Sequence, residues 1–423
     1  MSSFSGFIDD FPGLSIDSFV PRNLTSKAFF LTHKHEDHMV GMMSTRFAYH
    51  LRSNSETSLY CSKITAALLQ NDESFAHLSD YLVGLTENEA HRIEIPDRSD
   101  SRKSIFITVT LISANHCPGS VMFLFENTEK TVLYTGDFRL EDTPLSSIAE
   151  LHAKNSNSIR HIDKLYCDTT FCIPDQAINH FPPRNTSIQC IEELTRTWIT
   201  QGSNYVVVIL QSAALGFEPI FIHLHRVFNI KVHMSSKQHS QYRSIRGMCD
   251  FSTTDSETQI HACTMRWQRQ LDPEYNGLLP CDHDRGMKRD LNTNLQLQVR
   301  VIKVSTMWFT NQCTKTTDYC VPIREPYSYR VCYSFHSSYD EIKHFISYLK
   351  PDNAFPTVVP KHCTLAQVRE VIQKILNVAK NMNTCTDVDS SKKPDQLGKL
   401  RKNNRSPLLQ TFDSDSEFDF GDL

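Results

Sequence analysis

The sequence predicts an α/β fold in which one α/β domain is interrupted by a second unit of helix–strand–helix (αβα) order. The chain has 423 residues, 39% of them hydrophobic, which is enough for two or three domains with buried cores. Over residues 1–165, short β-rich runs alternate with helical ones, and this pattern changes between residue 168 and about residue 329. Strand and amphipathic-helix signals then return, so we expect the first domain to resume there.

Each predicted element follows from its hydrophobic periodicity and its flanking residues. In the first part we predict strands at Ala28–Leu31, Ile105–Ile112, Val121–Phe125 and Thr131–Tyr134, and a helix capped by Ser62 that runs to Leu69. In the second unit we predict a helix at Ile191–Ile199, a buried strand at Tyr205–Leu210 and a helix at Phe217–Phe228. After it we predict a strand at Tyr329–Phe335 and helices at Tyr339–Leu349 and Leu365–Leu376.

The last part of the chain differs in composition. Residues 381–423 are polar, with a basic cluster followed by an acidic end, and we expect them to be a disordered tail. Five acids in the last eleven residues account for the net charge of −4, because without them 44 basic residues face 43 acidic ones (48 − 5). The basic run Lys399–Lys402 fits either a nuclear-import signal or a solvated linker.

Composition excludes some classes of protein. The longest purely apolar run, Tyr205–Leu210, is far shorter than the roughly 18 residues of a membrane span, and the first ten residues lack the pattern of a signal peptide. We therefore expect neither membrane insertion nor secretion. Thirteen cysteines without regular spacing favour a reducing compartment over a disulfide scaffold.

The sharpest chemical signal is an H-x-H-x-D-H motif made by His33, His35, Asp37 and His38, directly after the apolar run Phe29–Leu31. A strand that ends in a tight turn can aim His33 and His35 at one metal ion while Asp37 and His38 face a neighbouring ion. Imidazole and carboxylate ligands suit Zn²⁺, and also Mn²⁺ or Mg²⁺ where oxygen ligands dominate. Two such ions a few Å apart can activate water for in-line attack on phosphorus.

Two ions need more ligands than one loop can supply, and later turns provide a histidine and an aspartate. His116 follows the strand that ends at Ile112, and Asp137 ends the next hairpin. His116 would complete the first site, and Asp137 would bridge both ions with its two oxygens. Either residue alone would more often be structural, but together with the first motif they indicate ligands.

Several motifs, taken in order, resemble those of the β-CASP nucleases of the metallo-β-lactamase superfamily, and within that group the DNA cross-link repair nucleases. Besides the H-x-H-x-D-H loop they are Ser15-Ile16-Asp17, His116-Cys117-Pro118-Gly119-Ser120, Tyr134-Thr135-Gly136-Asp137, Asp168-Thr169-Thr170-Phe171 and Ser334-Phe335-His336-Ser337-Ser338-Tyr339. The likeness runs from the first residues to about residue 378. It implies a metallo-β-lactamase αββα sandwich over residues 1–165 and 331–380, interrupted by an αβα β-CASP domain over residues 166–330, with the active site between them.

The resemblance also implies roles for residues that spacing alone would leave unassigned. Asp17 would brace the metal-binding loop by hydrogen bonding. Asp168 and His336 would pair across the domain boundary, with His336 near the scissile phosphate as general acid or charge stabiliser. Three serines are candidate phosphate contacts or, equally, ordinary strand-end hydroxyls: Ser334, Ser337 and Ser338.

The type of nucleic acid depends on one later position. RNA-cutting members of this group carry a further histidine after the strand that follows His336, whereas DNA-cutting members resemble valine there. The run Pro356–His362 fits the valine type, and the nearby His362 leaves the RNA alternative open. With the valine type, the second ion has only Asp37, His38 and Asp137 and would be weakly held in isolation.

A second metal constellation lies in the insert. His233, His261, Cys263 and Cys281 offer two imidazoles and two thiolates, the ligand set of a closed structural Zn²⁺ site. Their spacing differs from that of a zinc finger, and it is the resemblance that favours the site. Such an ion would brace the insert, and loss of a ligand would cost folding.

The resemblance implies a metal-dependent DNA nuclease, acting as a 5′ exonuclease and as an endonuclease on hairpins and overhangs, in double-strand-break repair by non-homologous end joining. It implies one or two catalytic Zn²⁺ ions and one structural Zn²⁺, with Mg²⁺ or Mn²⁺ able to support activity. The implied partners are DNA ends, hairpins and single-stranded overhangs in the nucleus, with DNA-dependent protein kinase and DNA ligase IV bound through the tail. The alternatives are a 5′ exonuclease of interstrand-crosslink repair and an RNA-processing nuclease.

Overall fold

Three β-sheets organise the protein in a computed structural model that describes residues 3–54, 56–96, 104–141, 143–153, 156, 158–173, 178–263, 297–310 and 318–384. The first sheet contains β1 Leu14–Ile16, β2 Ala28–Phe30, β3 Ser58–Ser62 and β4 Leu82–Leu85. The second contains β5 Ala90–Pro96, β6 Ser104–Ser113, β7 Val121–Glu126, β8 Thr131–Tyr134, β9 Lys164–Cys167 and, from later in the chain, Asn353–Pro356. The third contains β10 Tyr205–Leu210, β11 Val232–His233, β12 Ser252–Thr253, β13 Ile260–His261, β14 Gln298–Val304, β15 Cys320–Arg324 and β16 Ser328–Val331, so that the strand Asn353–Pro356 is β17.

The helices of the described residues are α1 Thr45–Ser53, α2 Lys63–Gln70, α3 Arg184–Ile199, α4 Glu218–Phe228, α5 Ser236–Tyr242, α6 Tyr339–Leu349 and α7 Leu365–Thr384. Capping by local side chains fixes several of their starts. Ser62 accepts a hydrogen bond from the Thr65 backbone N–H at the start of α2, and Ser338 forms a reciprocal capping box with Glu341 at the start of α6. Within the described part of the chain, every helix is too short or too polar to span a bilayer.

The first two sheets face each other and share one apolar core. Residues of β1 and β2, such as Ile16 and Phe30, pack against Phe123, Phe125 and Val132 of the second sheet. Helices α1 and α2 cover the outer face of the first sheet, and α6 and α7 cover the outer face of the second. Because residues on both faces of the strands are buried, the two sheets and the helices that cover them form a layered αββα sandwich, as predicted above.

The third sheet belongs to the insert between β9 and α6. Its strand order is β12-β11-β13-β10-β14-β16-β15, and all pairs are parallel except β15 with β16. The run of β-branched residues in β10 is buried on both faces, as expected of a central parallel strand. Helices α3, α4 and α5 pack on one face through residues such as Ile191, Phe221 and Tyr242.

Most predicted elements are confirmed, and three boundaries are wrong. The helix predicted at Ile191–Ile199 begins at Arg184, directly after Pro183, because Ile188 also packs into the core of the insert. The predicted strand Tyr329–Phe335 ends at Val331, because the following backbone turns so that the Ser334 carbonyl accepts a hydrogen bond from Arg139. The last helix continues to Thr384, four residues into the tail that we predicted from residue 381, because its apolar stripe extends to Ala379. The rest of that tail, including Lys399–Lys402, lies outside the described residues.

Candidate metal and active site

A cleft of about 690 Å³ lies between the sandwich and the insert. On the sandwich side it is lined by residues that follow β2, β8, β9 and β17, among them His35, Asp137 and Thr170. On the insert side it is lined by residues at or just after the ends of β10 and β14. The carboxyl ends of parallel strands are the usual position of a ligand site in α/β proteins, because the loops there converge.

Three histidines of the sandwich meet at one point of this cleft. His35 Nδ1 lies 3.0 Å from both His33 Nε2 and His116 Nε2, although His116 is 81 residues away along the chain. The outer nitrogen of each ring has a partner that orients it: His33 Nδ1 contacts the Thr32 hydroxyl at 2.9 Å and His116 Nδ1 the Phe335 carbonyl at 2.8 Å. The three inward-facing imidazole nitrogens, His33 Nε2, His35 Nδ1 and His116 Nε2, are therefore close enough to bind one metal ion.

Asp137 stands beside this group. Its Oδ2 lies 3.2 Å from His38 Nε2, 3.7 Å from the Nε2 atoms of both His33 and His116, and 3.9 Å from His336 Nε2. One buried carboxylate oxygen thus lies within 4 Å of four imidazole nitrogens. Gly136, with a φ of +54°, makes this approach possible, because a Cβ there would come within 2.8 Å of the Thr32 side chain.

Asp17 holds the histidine loop from behind. Its carboxylate accepts hydrogen bonds from the Thr32 backbone N–H (2.9 Å), the Thr32 hydroxyl (2.8 Å) and the Tyr134 hydroxyl (3.2 Å), and lies 2.9 Å from His38 Nδ1. Its backbone has a φ of +50°, a left-handed conformation that costs free energy in a non-glycine residue and that often marks a functional site. Asp17 orients His38, whose other ring nitrogen faces Asp137, and Asp17 itself does not line the cleft.

Burial and neighbouring charges shift the pKa values of these groups in opposite directions. Burial lowers the pKa of His35 to about 4 and, with the other histidines, lowers the pKa of His33 well below its usual value. Burial also lowers the pKa of His116. The pKa of His38 is raised, because Asp137 and Asp17 outweigh the effect of burial. The lowered pKa values favour neutral imidazoles at His33, His35 and His116, which is the form that binds a divalent cation.

The donor set fits metal ions. Three sets of donor atoms at this site lie within 4.8 Å of one another. They are His33, His35 and His116 with Cys117, then His33 and His38 with Asp137, and then His116 and His336 with Asp137. The buried atom Asp137 Oδ1 has no hydrogen-bond partner among the described residues, which is costly unless another group satisfies it, and buried His38 Nε2 faces Asp137 Oδ2 at 3.2 Å. Imidazole nitrogen with carboxylate oxygen is a donor combination typical of zinc and of other divalent transition metals.

Asp37 is placed differently from the other predicted ligands. It lines the cleft with Asp137 and is partly exposed, but it belongs to none of the donor groups that lie within 4.8 Å of one another in the described residues. His38, its neighbour in the motif, is fully buried instead. The assignment of Asp37 to the second ion stays a prediction.

Asp168 and His336 pair across the two parts of the molecule. Asp168 Oδ2 lies 2.9 Å from His336 Nδ1, and the other carboxylate oxygen accepts from the Thr170 N–H and hydroxyl. The His336 ring therefore turns its Nε2 toward Asp137 and the cleft. Burial alone would lower the pKa of His336, but Asp137 and Asp168 raise it, which favours the protonated ring.

The three serines near His336 have partners within the protein backbone. The Ser334 hydroxyl donates to the His336 carbonyl, the Ser337 hydroxyl donates to the Phe138 carbonyl, and Ser338 caps α6. All three are buried and none lines the cleft. These contacts are those of structural hydroxyls, and the prediction that they bind phosphate gains no support from them.

Val358 and His362 are separated by the fold. Val358 lines the cleft, and its carbonyl accepts a hydrogen bond from the Thr169 hydroxyl. His362 is exposed, has a φ of +69° and is not among the lining residues. The residue that contacts the cleft after β17 is therefore the valine.

A second donor group lies in the insert. His233 and His261 are register partners on β11 and β13, their Nδ1 atoms are 3.1 Å apart, and Cys263 completes a set within 4.8 Å. Cys281, the fourth ligand that the sequence predicts, lies outside the described residues. The described members of the predicted structural zinc site are thus brought together.

Sequence reasoning missed two arginines that join the site loops. Arg139 is fully buried and donates to the carbonyls of Ser334 and Pro182, and Arg184 donates to the Asn115 carbonyl beside His116. The two guanidinium groups share Glu141. Arg139 stands two residues after Asp137, but nothing in a local pattern indicates that a single arginine will be buried in this way.

Two family models match the chain. The model described as "DNA repair metallo-beta-lactamase" matches residues 248–362, and the model described as "Beta-lactamase superfamily domain" matches residues 20–197. The first match spans part of the insert and the segment with His336, and the second spans the histidine loop, His116 and Asp137. Most residues that line the cleft therefore lie in the matched regions, and Leu210 with Ser212, Ala213 and Ala214 lies between them.

Similar proteins cover nearly the whole chain. Protein artemis of Gallus gallus is 37% identical over 420 residues, which is 99% of this chain and 55% of that protein. Protein artemis of Homo sapiens is 36% identical over 95% of this chain and 54% of its own length. The 5′ exonuclease Apollo of Gallus gallus is 29% identical over 80% of this chain and 60% of its own length. The chain spans about half the length of the Artemis proteins that it matches.

Proposed function

Because this chain belongs to the DNA repair metallo-β-lactamase family and is similar to its Artemis members, we propose that it is a metal-dependent nuclease that hydrolyses phosphodiester bonds of DNA. The observation that carries this proposal is the position of Asp137, whose Oδ2 lies within 4 Å of His33, His38, His116 and His336. Four imidazoles around one buried carboxylate fit the binding of divalent cations and the chemistry of phosphate esters.

The residues divide the work in a way that their contacts support. His33, His35 and His116 with Asp137 would hold a first ion, and His38 and Asp137 with Asp37 a second. A bound cation would neutralise the phosphate and acidify a water molecule. Asp17 would keep His38 oriented through its Nδ1.

His336 would act on the leaving group of the reaction. Its Nδ1 is held by Asp168, so its Nε2 can donate a proton or a hydrogen bond to the departing oxygen. The raised pKa of this ring, caused by Asp137 and Asp168 against the effect of burial, favours the protonated form that a general acid needs.

We propose finer features on the basis of similarity. The chain would act as a 5′ exonuclease and as an endonuclease on hairpins and overhangs, in the nucleus, in end joining. The one or two catalytic ions would be Zn²⁺, with Mg²⁺ or Mn²⁺ able to support activity. A structural Zn²⁺ would be bound by His233, His261, Cys263 and Cys281. Residues 1–165 and 331–380 would form the metallo-β-lactamase domain and residues 166–330 the β-CASP domain. DNA-dependent protein kinase and DNA ligase IV would bind through the tail.

The position of Val358 favours DNA over RNA as the substrate. In the family pattern an RNA-cutting enzyme has a histidine at this place, and here an apolar side chain faces the cleft while His362 lies outside it. A 5′ exonuclease of crosslink repair, like the Apollo proteins in type, is the second candidate, because its metal site would be the same.

The test is a cleavage assay with purified protein and 5′-phosphorylated single-stranded DNA, hairpin DNA and RNA of matched sequence, each with Zn²⁺, Mn²⁺ or Mg²⁺. We expect DNA to be cut, and we expect Asp137→Asn and His116→Ala to abolish cutting. His362→Ala is the matched control and should cut DNA like the unchanged protein.

Three results would overturn parts of this proposal. Cleavage of RNA alone would refute the choice of DNA. Cleavage confined to free 5′ ends would select the crosslink-repair type over the hairpin-opening one. A folded protein that cuts none of the three substrates with any of the ions would refute the nuclease itself.

A further inference from the structure

The insert side of the cleft carries two basic residues on neighbouring strands. Lys303 of β14 and Arg330 of β16 are register partners in a parallel pair, so their side chains leave the sheet on the same face. Both line the cleft, together with Ser305 and Met307, which follow β14. None of these residues has a part in the metal site.

Arg330 is partly buried, but in the described part of the chain it lacks the acidic partner that a buried structural arginine usually has. Its Nε is buried and has no hydrogen-bond partner, and no ion pair to a carboxylate is found for it within the described residues. Its guanidinium lies over the ring of Trp308 at 4.9 Å from the ring centre. Burial lowers the pKa of Arg330, but an arginine stays charged.

These contacts leave a positive charge partly withdrawn from water and held in place by an aromatic ring. By contrast, Arg139 and Arg184 each contact Glu141. A guanidinium without such a partner is costly to keep, unless an anion from outside the chain completes it. A planar guanidinium stacked on a ring is also preorganised for two hydrogen bonds to a phosphate.

The distribution of charge in the cleft points to the same kind of ligand. Its sandwich side carries the acids Glu36, Asp37 and Asp137 next to the histidines, together with Lys34, whose charge is paired with Asp72, and its insert side carries Lys303 and Arg330. A single phosphate at the metal site would leave most of the 690 Å³ unfilled. A polymer with repeated phosphates would place one of them at the metal site and another against the insert.

We propose that Arg330, with Lys303 beside it, forms a phosphate-binding site on the insert side of the cleft that holds the backbone of the same DNA strand whose scissile phosphate lies at Asp137. This inference rests on the proposed nuclease function and adds to it the residues that position the strand. Arg330 is a positioning residue in this arrangement, because it binds a phosphate that is not cut.

The first test measures how salt affects the binding of single-stranded DNA by the full chain in an Asp137→Asn background, which should prevent cleavage without stripping the proposed structural Zn²⁺ from the insert. Removal of one contact to a single-strand phosphate lowers the slope of log K against log salt by about 0.7. We expect that change in Arg330→Gln and no such change in Arg330→Lys, which keeps the charge. Arg324→Gln is the matched control, because Arg324 is exposed on β15 of the same sheet and does not line the cleft.

The second test locates the phosphate by replacing single phosphates of the DNA with neutral methylphosphonates. Binding to the unchanged protein should weaken at one position away from the cut site, and Arg330→Gln should be insensitive at that position only. If Arg330 merely supports Trp308, the two proteins will give the same profile and the same salt slope, and the inference is then wrong. Should Arg330→Gln fail to fold, Lys303→Gln takes its place, because the proposed site expects a lower salt slope in that variant and an unchanged slope and profile refute the site.

The outcome for this site is distinguishable from the outcome for the proposed function. Unchanged protein that cuts DNA while Arg330→Gln binds with the same slope and profile refutes only the phosphate site. Unchanged protein that binds DNA through Arg330 but never cuts it refutes only the nuclease.

Discussion

Replacement of Asp17 by Asn tests whether the candidate metal site depends on the carboxylate that orients His38. Asn has nearly the same size and tolerates the left-handed φ of +50° at this position, so the backbone should not be disturbed. The change removes the negative charge and one acceptor. Asp17 Oδ2 accepts hydrogen bonds from the Thr32 hydroxyl and the Tyr134 hydroxyl and lies beside His38 Nδ1. An amide nitrogen at this position cannot accept a hydrogen bond from any of these three groups.

The expected size of the effect follows from these contacts. The contact to His38 is a hydrogen bond to a charged group, worth about 1.5–3 kcal/mol, which corresponds to a change of roughly 10- to 100-fold. Loss of a partner that orients a metal ligand has the same typical size, about 10- to 100-fold in metal affinity or activity. We therefore expect Asp17→Asn to weaken metal binding or slow DNA cleavage by that factor.

The assay is a competition titration with a chromophoric chelator, together with kcat/KM for cleavage of single-stranded DNA. Tyr134→Phe is the matched control, since it removes only the 3.2 Å hydrogen bond from the phenol to Asp17 and should cost about 1 kcal/mol, or roughly fivefold. The reasoning fails if Asp17→Asn stays within about twofold of the unchanged protein, or if Tyr134→Phe has the larger effect.

Three further predictions concern stability. Burial lowers the pKa of His35 from 6.5 to about 4, so in the metal-free protein the unfolded chain takes up this proton at a higher pH than the folded chain does. The free energy of unfolding should therefore fall by about 3 kcal/mol (6.5 − 4 pH units) as the pH drops from 6.5 to 4, and a flat profile of unfolding free energy against pH would contradict this. Gly136→Ala adds a left-handed alanine and a 2.8 Å contact with Thr32, and should cost about 2–5 kcal/mol in urea unfolding, whereas an unchanged midpoint would show that the turn can relax. Arg139→Met leaves Glu341 without its ion pair and should destabilise the fold by about 3–5 kcal/mol in the same measurement, and a stabilised variant would reverse this conclusion.

Local patterns predicted the elements of this protein well. The strand Thr131–Tyr134 and the helix Tyr339–Leu349 have the predicted bounds, because alternation and capping depend on neighbouring residues. The strand before Ser334 is shorter than predicted, since its end is set by a hydrogen bond from Arg139, 195 residues away along the chain. A pattern in sequence contains no information on such a partner.

The composition of the candidate site could also be predicted in part. The spacing of His33, His35 and His38 predicted that these residues would be neighbours in one candidate metal-binding loop, because a tight turn after a strand brings such residues together. The pairing of Asp168 with His336 came only from resemblance, and Arg330 was not singled out at all. No local rule distinguishes a solvated arginine from one that lines a cleft.

By itself, the sequence determined which side chains carry donor atoms suited to metal ions and which segments form strands and helices. These properties depend on the side chains themselves and on hydrogen bonds and hydrophobic contacts between neighbours in the chain. Only the tertiary structure decided the 3.0 Å distance at which His116 meets His35, that Val358 and not His362 lines the cleft, and that Arg330 lies opposite Asp137. Those juxtapositions arise because the packing of three sheets brings the carboxyl ends of their strands together.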